Sequence, residues 1–452
     1  MTIVTLLKGD KMVSGKESSK FTDELLFTKI FQAFRMAIQP TKFIITFSAL
    51  AIISLAGRLM DFTKTVTVAR NSDGETVLTE LQFYMTDPAK VNTFIENYKQ
   101  STGDGVFFTL WHFGSEKFHN ILKELFELNL TSVAANTADC LTALRWALRY
   151  HLLYCIIFIA VILVVTSFAG GAICRIAALQ VAHGEKPGLT EALRFSIKRF
   201  TSFVTAPLAP LTIIAFIGIF IFILGLLGNI PRAGEIIVGL GMPLAIFAGV
   251  LITVVALGTV AGFNLMFPAI AYDGSDCFDS ISRSFSYVYA RPWRMLAYTS
   301  IAFVYGSICY IFVRFFAFLS LLISHWFLRL GLWAMNDGQQ VNKLEAIWPE
   351  PELMKLIDPS GLAATNWTEK LAAFLVSLFI LVVIGLIVSF IINFYFSANT
   401  VIYSLLRHKV DNTAFEDIYT PPDEPEIEPA KPASKALSEP DSPKTEPQTE
   451  PD

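Results

Sequence analysis

The sequence predicts an all-α fold: a polytopic helical membrane protein of about six transmembrane helices, with interfacial amphipathic helices and a small α+β extramembrane insert. Three observations predict it. The chain is 53% hydrophobic with only 16% charged residues and a mean hydropathy of +0.52, whereas soluble domains carry close to a quarter charged residues. Apolar stretches at roughly 43–60, 152–174, 206–228, 237–263, 296–322 and 371–396 approach or exceed the 20 or so residues that one helical crossing needs. Basic residues collect in alternate loops.

That last bias sets the orientation, because cytoplasmic loops carry an excess of Lys and Arg. Lys8, Lys11, Lys16, Lys20, Lys29, Arg35 and Lys42 precede the first stretch. Arg175, Lys186, Arg194, Lys198 and Arg199 follow the second, and Arg283, Arg291 and Arg294 follow the fourth, whereas Arg232 stands alone between the third and fourth. Both termini are expected in the cytoplasm. Residues 1–42 form the N-terminal region, where "KGDKMVSGKESSK" has no apolar core and no removable signal peptide is expected. In "FTDELLFTKIFQAFRMAIQP", Phe27, Ile30, Phe31, Phe34 and Ile38 share a stripe that stops at Pro40, which reads as an interfacial helix.

After the first crossing, 43–60, residues 61–151 form the outer insert. "VTVARNSDGETVLTELQFY" alternates β-prone residues around Ser-Asp-Gly and reads as a hairpin. Asp87-Pro88 opens a helix through Lys99, and a second helix opens at Ser115 with Phe118, Ile121, Leu122, Leu125 and Phe126 on one face. His112, Glu116 and His119 have metal-ligand spacing, but Gly114-Ser115 separates the first from the others, so no metal site is expected. A second outer region, 325–370, holds Trp326, Trp333, Trp348 and Trp367 and is expected along the headgroups. The sixth crossing and its cytoplasmic extension occupy 371–410. Residues 411–452 are expected as a disordered tail, since the last 32 contain nine prolines and nine acids.

The core, 152–324, contains two similar connectors. Glu191-Ala192-Leu193-Arg194-Phe195-Ser196 aligns with Asp279-Ser280-Ile281-Ser282-Arg283-Ser284, an acid/small/aliphatic/x/x/Ser pattern. Each has an acid in its first turn, where the helix dipole favours it, and basic residues after it. Glu191, Arg194, Ser196, Lys198 and Arg199, with Asp279, Arg283 and Ser284, are therefore expected to form membrane-surface connectors on the cytoplasmic side. The pair suggests a parallel internal repeat. Asp273, Asp276 and Asp279 drift round a helix and read as capping and surface charge.

Small residues let helices approach closely in lipid. Gly241, Ala245, Gly249, Gly258 and Gly262 mark the fourth crossing as the expected central helix, with a break or bend at Pro243 and Pro268 because the apolar run from Ile236 to Ile270 would span about 52 Å. Ser167 to Gly171 and Gly385 to Ser389 offer further close-packing sites. Arg314 is the clear intramembrane charge, and Glu235 is its expected partner in a structural ion pair.

The stretches "GGAICRIAALQ" (170–180), "GEKPGLTEALRFS" (184–196), "SRSFSYVYARPWR" (282–294) and "LLRHKVD" (405–411) resemble those of uncharacterised bacterial multi-pass membrane proteins. The connectors alone resemble those of a broader group that includes the membrane domain associated with glycerophosphodiester phosphodiesterases. The resemblance implies a bacterial inner-membrane location and no catalytic motif. No Walker A, HExxH, GxSxG or Rossmann fingerprint occurs, so neither a catalytic residue nor a cofactor is expected, and no nucleic acid is expected as a partner. The expected role is a non-catalytic scaffold or subunit of a membrane complex, with the lipid bilayer and a membrane protein as partners. The alternative is a transporter or channel for a small solute or lipid, which requires residues such as Asn264, Tyr305, Ser307, Asn393 and Asn399 to converge on a cavity.

Overall fold

The computed structural model describes residues 26–70, 76–98, 103–332, 335–336, 339–353, 356 and 366–420. Six of its helices are long and apolar enough to cross a membrane: Pro40–Thr63, Leu152–Ala182, Phe200–Leu227, Gly234–Asp273, Pro292–Gly331 and Trp367–Asp411. Each coincides with one of the stretches read from the sequence and outgrows it at one end or both. Backbone N–H and C=O groups find no water in the acyl region, so an apolar run of this length becomes a helix that satisfies them internally. Six crossings would return both described ends to one face, named here the terminal face, with the segment after the first span on the opposite, insert face.

In chain order the helices are α1 (Gln32–Ala37), α2 (Pro40–Met60), α3 (Glu80–Thr86), α4 (Val91–Asn97), α5 (Val106–Phe126), α6 (Leu130–Tyr150), α7 (Leu152–Ala182), α8 (Leu189–Lys198), α9 (Phe200–Leu227), α10 (Gly234–Asp273), α11 (Cys277–Ala290), α12 (Pro292–Gly331), α13 (Lys343–Ile347) and α14 (Trp367–Asp411). Two hairpins, β1 (Val68–Arg70) with β2 (Thr76–Thr79) and β3 (Met335–Asn336) with β4 (Gln339–Asn342), are antiparallel.

The centre of the bundle is not α10, as the small-residue stripe suggested. The longest buried stretches belong to α7, from Ala169 to Leu179, and α14, from Ser397 to Arg407. In α10 no residue between Gly234 and Gly258 is buried, and Gly239 and Gly249 face open space while Gly241 packs on Leu224 of α9. A glycine announces that something could approach, not that something does. Gly170 and Gly171 of α7 meet Phe396, Phe267 and Phe203, and Gly385 of α14 meets Phe47. Of the break or bend expected in α10, the break is absent: Pro243 and Pro268 lie inside one continuous helix. Each proline removes one hydrogen bond, and a lipid-embedded helix gains nothing by exposing more backbone.

The N-terminal segment enters the core rather than resting on the surface. A 3-10 turn, Leu26–Phe31, leads into α1, and Ile30, Ala33, Met36 and Ala37 are buried against α14 and α12. Of the predicted stripe, Phe27, Phe31 and Ile38 are exposed. The small side chains of Ala33 and Ala37, on the other face, let the helix dock flush.

In the insert, the predicted hairpin pairs Val68 with Thr79; the turn assigned to Ser-Asp-Gly lies outside the described residues. Thr79 and Gln82 form a capping box that starts α3. The helix expected from Ser115 begins at Val106 and runs straight through Gly114-Ser115. An interior glycine costs about 1 kcal/mol, less than the burial of Val106 and Leu122 returns. Helix α6 had no counterpart in the sequence reading, because Thr, Asn and Ala blur its periodicity; its inner stripe is Ala143, Trp146 and Ala147. Lys117 and Asp139, 2.8 Å apart, tie α5 to α6. In the second outer region, Trp348 is buried and Trp326 and Trp367 are exposed, while Trp333 and the tail from 421 lie outside the described residues.

Candidate functional site

Both connectors are helices, α8 and α11. Asp276 caps α11, its side chain accepting the backbone N–H of Asp279 at 2.9 Å. Of the serines shared by the two patterns, Ser196 docks its connector while Ser284 bonds within its own helix, where Ser280 does the docking. Ser196 Oγ donates to the carbonyls of Phe168 (2.8 Å) and Ser167 (3.1 Å) in α7. Ser280 Oγ donates to the Met266 carbonyl of α10 at 2.8 Å, and Ser284 Oγ to that of Ser280 at 2.7 Å. Phe285 then covers Gly258 and Gly262, and the Tyr289 hydroxyl donates to the Val254 carbonyl. The connectors thus pack along membrane helices, where a polar hydroxyl is tolerated because a main-chain carbonyl receives it. Arg194 and Lys198 face outward, Glu191 is half-buried in the first turn of α8, and Arg199 lies over the Tyr419 ring at 5.3 Å.

The three aspartates near α11 separate by role. Asp276 is the cap, Asp279 pairs with Arg283 at 3.0 Å, and Asp273 is buried at the end of α10. Asp273 meets Arg407 Nε at 3.0 Å and Arg283 Nη1 at 3.3 Å, and accepts the Tyr403 hydroxyl. The chain beyond α14 folds back over this pair. Arg407 Nη1 donates to the Asp417 carbonyl at 2.8 Å, and Arg175 Nη1 donates to the carbonyls of Tyr419 (2.8 Å) and Ala271 (3.1 Å). Tyr419 lies so close to Gly274, whose φ is +60°, that a Cβ there would fall 2.3 Å from its ring; both facts require glycine. Residues 412–419 therefore strap the ends of α7, α10 and α14 together.

Arg314, in α12, has partners other than the expected Glu235, which is exposed in the first turn of α10. Its Nε donates to the Leu353 carbonyl at 2.8 Å, and its Nη1 to the Tyr310 hydroxyl at 2.8 Å and to Nε2 of His119 at 2.6 Å. The insert lies against α12 at this level, through Phe118 and Leu122 packed near Tyr310, so it supplies the acceptor. Burial and the adjacent guanidinium hold His119 below the usual imidazole range, and Nδ1 donates to the Ser115 carbonyl at 2.6 Å. A neutral ring with Nε2 free to accept is the state these contacts select.

Beside this cluster, α10, α12 and α14 enclose a cavity of about 310 Å³. Its walls are Phe303, Phe390 and Phe394; its polar groups are Asn264, Thr299, Ser307, Tyr310, Tyr395 and Asn399; Phe118 and Leu122 of α5 line it as well. The Tyr395 hydroxyl donates to Asn264, and Asn399 Nδ2 donates to the Tyr395 carbonyl at 2.9 Å. Asn264, Ser307 and Asn399, singled out in the sequence, converge here. Tyr305 and Asn393 do not: Tyr305 donates to the Phe31 carbonyl at 3.2 Å, and Asn393 accepts the Thr46 hydroxyl and donates to the Ala37 carbonyl at 3.4 Å. Tyr310 and Tyr395 escaped the sequence reading, although Ser307/Tyr310 and Tyr395/Asn399 are one helical turn apart and share a face.

All five cysteines are free thiols, and among the described residues no group of three or more His, Cys, Asp or Glu could hold a metal ion. No protein-family model, curated protein or solved structure matches this chain. Its fold defines a multi-pass helical membrane protein associated with the lipid bilayer.

Proposed function

We propose that this protein is a transporter or channel for a small amphiphilic solute or lipid, taken up in the cavity between α10, α12 and α14. The observation that carries the reading is the convergence of Asn264, Ser307 and Asn399, from three different spans, on one largely apolar cavity. Its 310 Å³ falls at the lower end of ligand-site volumes. Phe303 and Tyr395 are exposed on the lipid-facing side, which gives an amphiphile a lateral way in. The likeness of the connectors to the membrane domain associated with glycerophosphodiester phosphodiesterases agrees with a lipid cargo, by analogy alone.

The test is translocation of fluorescent phospholipid in proteoliposomes, read by dithionite quenching. Wild-type protein should accelerate it, and Ser307→Leu and Asn399→Leu should lower the rate. Rates equal to protein-free vesicles would sink the proposal.

Our reading of orientation places both termini in the cytoplasm of a bacterial inner membrane. It is supported by the exposed Arg35, Lys186, Arg194, Lys198 and Arg291 around the terminal face. A second reading, as a non-catalytic scaffold or subunit, has its own support in Leu128, Leu130, Leu141 and Leu148, exposed along the insert. A stable, stoichiometric partner retained in mild detergent would favour it.

A further inference from the structure

A second cavity, of about 550 Å³, lies within the insert and does not involve the proposed transport path. It opens where the end of the first span meets the start of the second, with Thr63 and Thr65 on one side and Leu153 and Ile157 on the other. Glu80 and His151 line it. Glu80 is 1% exposed, and its carboxylate accepts the Thr67 backbone N–H at 3.0 Å and the Trp146 indole N–H at 3.1 Å. Among the described residues no Lys or Arg forms an ion pair with it. The nearest basic group, Nε2 of His151, stands 3.6 Å away on a side chain 8% exposed, and that nitrogen has no hydrogen-bond partner.

The interior of this cavity therefore presents a buried carboxylate and, 3.6 Å from it, an imidazole nitrogen with no hydrogen-bond partner. A buried charge left uncompensated is costly, and a ligand bearing N–H donors and one positive charge would remove both deficits. The mouth differs. Leu152, Leu153 and Ile157 are exposed apolar residues in the first turns of α7, a candidate span, while Lys64 stands exposed between the two lining threonines.

We propose that this cavity binds the headgroup of an aminophospholipid from the leaflet on the insert face. Its ammonium reaches Glu80 and His151 Nε2, its phosphodiester stays at the mouth among Thr63, Lys64 and Thr65, and its chains lie over Leu153 and Ile157. An anionic headgroup without an amine meets the Glu80 carboxylate and is disfavoured. A hydroxyl headgroup can bond but cannot neutralise the charge.

The experiment is native mass spectrometry of the full chain released from detergent containing phosphatidylethanolamine and phosphatidylglycerol in equal amounts, with matched acyl chains. Wild-type protein should retain one phosphatidylethanolamine in preference to phosphatidylglycerol. Glu80→Gln removes the charge and keeps one acceptor oxygen, enough for Thr67 or Trp146 but not both, and should lower that retention about tenfold or more, the value of one charge-assisted hydrogen bond. Thr65→Trp narrows the mouth without touching any bond of Glu80 and should do the same. Equal retention of phosphatidylglycerol, or undiminished phosphatidylethanolamine in a folded Glu80→Gln protein, overturns the proposal. If Glu80→Gln fails to fold, full retention by Thr65→Trp overturns it alone.

Discussion

Nη1 of Arg314 stands 2.6 Å from Nε2 of His119, so a guanidinium carried by the fifth span is received by an imidazole from the insert between the first and second. The contact joins parts of the chain 195 residues apart, and it solves two problems at once. An intramembrane arginine needs acceptors, and an insert hinged on two helix ends needs an attachment to the bundle. Removing the arginine takes a donor from Tyr310 and the Leu353 carbonyl and leaves His119 Nε2 with the Tyr310 hydroxyl alone, at 3.1 Å.

Arg314→Ala should therefore reduce the yield of folded, monodisperse protein in detergent and loosen the insert. Arg314→Lys should rescue little, since one ammonium cannot reproduce donation from both Nε and Nη1. Size-exclusion yield and limited proteolysis within residues 61–151 provide the readout. Normal yield and an unchanged digest for the alanine variant would contradict the structural role.

The same contact has a pH dependence. His119 sits below the usual imidazole range because of burial and the neighbouring guanidinium, so the unfolded chain binds the proton more readily than the folded one. Stability from this ring is complete above about pH 6.5, the ordinary imidazole value, and is lost as pH falls below it towards the depressed folded value. Melting temperature should fall on acidification from about pH 7 to 5, and His119→Gln, which keeps an acceptor without a titrating group, should flatten that part of the profile. A variant profile parallel to wild type would assign the acid sensitivity to other groups.

The terminal-face network offers a contrast between buried and exposed charge. Asp273 and Arg407 have side chains only 6% and 8% exposed, whereas Asp279 and Arg283 are 47% and 37% exposed. Asp273→Asn preserves the Tyr403 hydrogen bond but leaves Arg407 short of a charge, which should destabilise by about 3 kcal/mol. Asp279→Asn should cost under about 1 kcal/mol. Unfolding rates in a graded denaturing detergent would compare the two, and equal effects would mean that the inner pair is hydrated.

Much of this architecture was legible because the bilayer asks for so little: some 20 apolar residues and internal hydrogen bonds. The six spans, the β1–β2 hairpin and the helical form of α8 and α11 follow from length, alternation and pattern. The partner of a residue does not. Glu235 was the expected mate of Arg314 because it is near in a drawn topology, whereas the fold presents His119, whose role depends on α5 running unbroken through Gly114. Asn264 and Asn393 give the same signal, a polar residue in an apolar run. One faces a cavity, and the other is consumed by Thr46 and Ala37; only the rotation of each helix against its neighbours decides which.

Lys42 carries the sharpest test of that limit. In the sequence it counts towards the basic excess before the first span, yet its side chain is fully buried, with Nζ donating to Ser397 Oγ at 3.0 Å. No described carboxylate lies within ion-pair distance, and the group from α14 that holds Nζ is the neutral Ser397 hydroxyl. Burying a charge without a counter-charge is expensive, and replacing buried charge by an apolar side chain of similar volume is often neutral or stabilising by about 1–4 kcal/mol. Lys42→Met should accordingly raise the melting temperature in detergent and slow thermal inactivation, because the thioether fills the same channel while Ser397 turns its hydroxyl to a carbonyl of its own helix. Lys42→Glu, which reverses the charge among the same neighbours, should lose stability. A destabilised methionine variant would show that the ammonium is itself required there, and would make this lysine a functional group of the bundle.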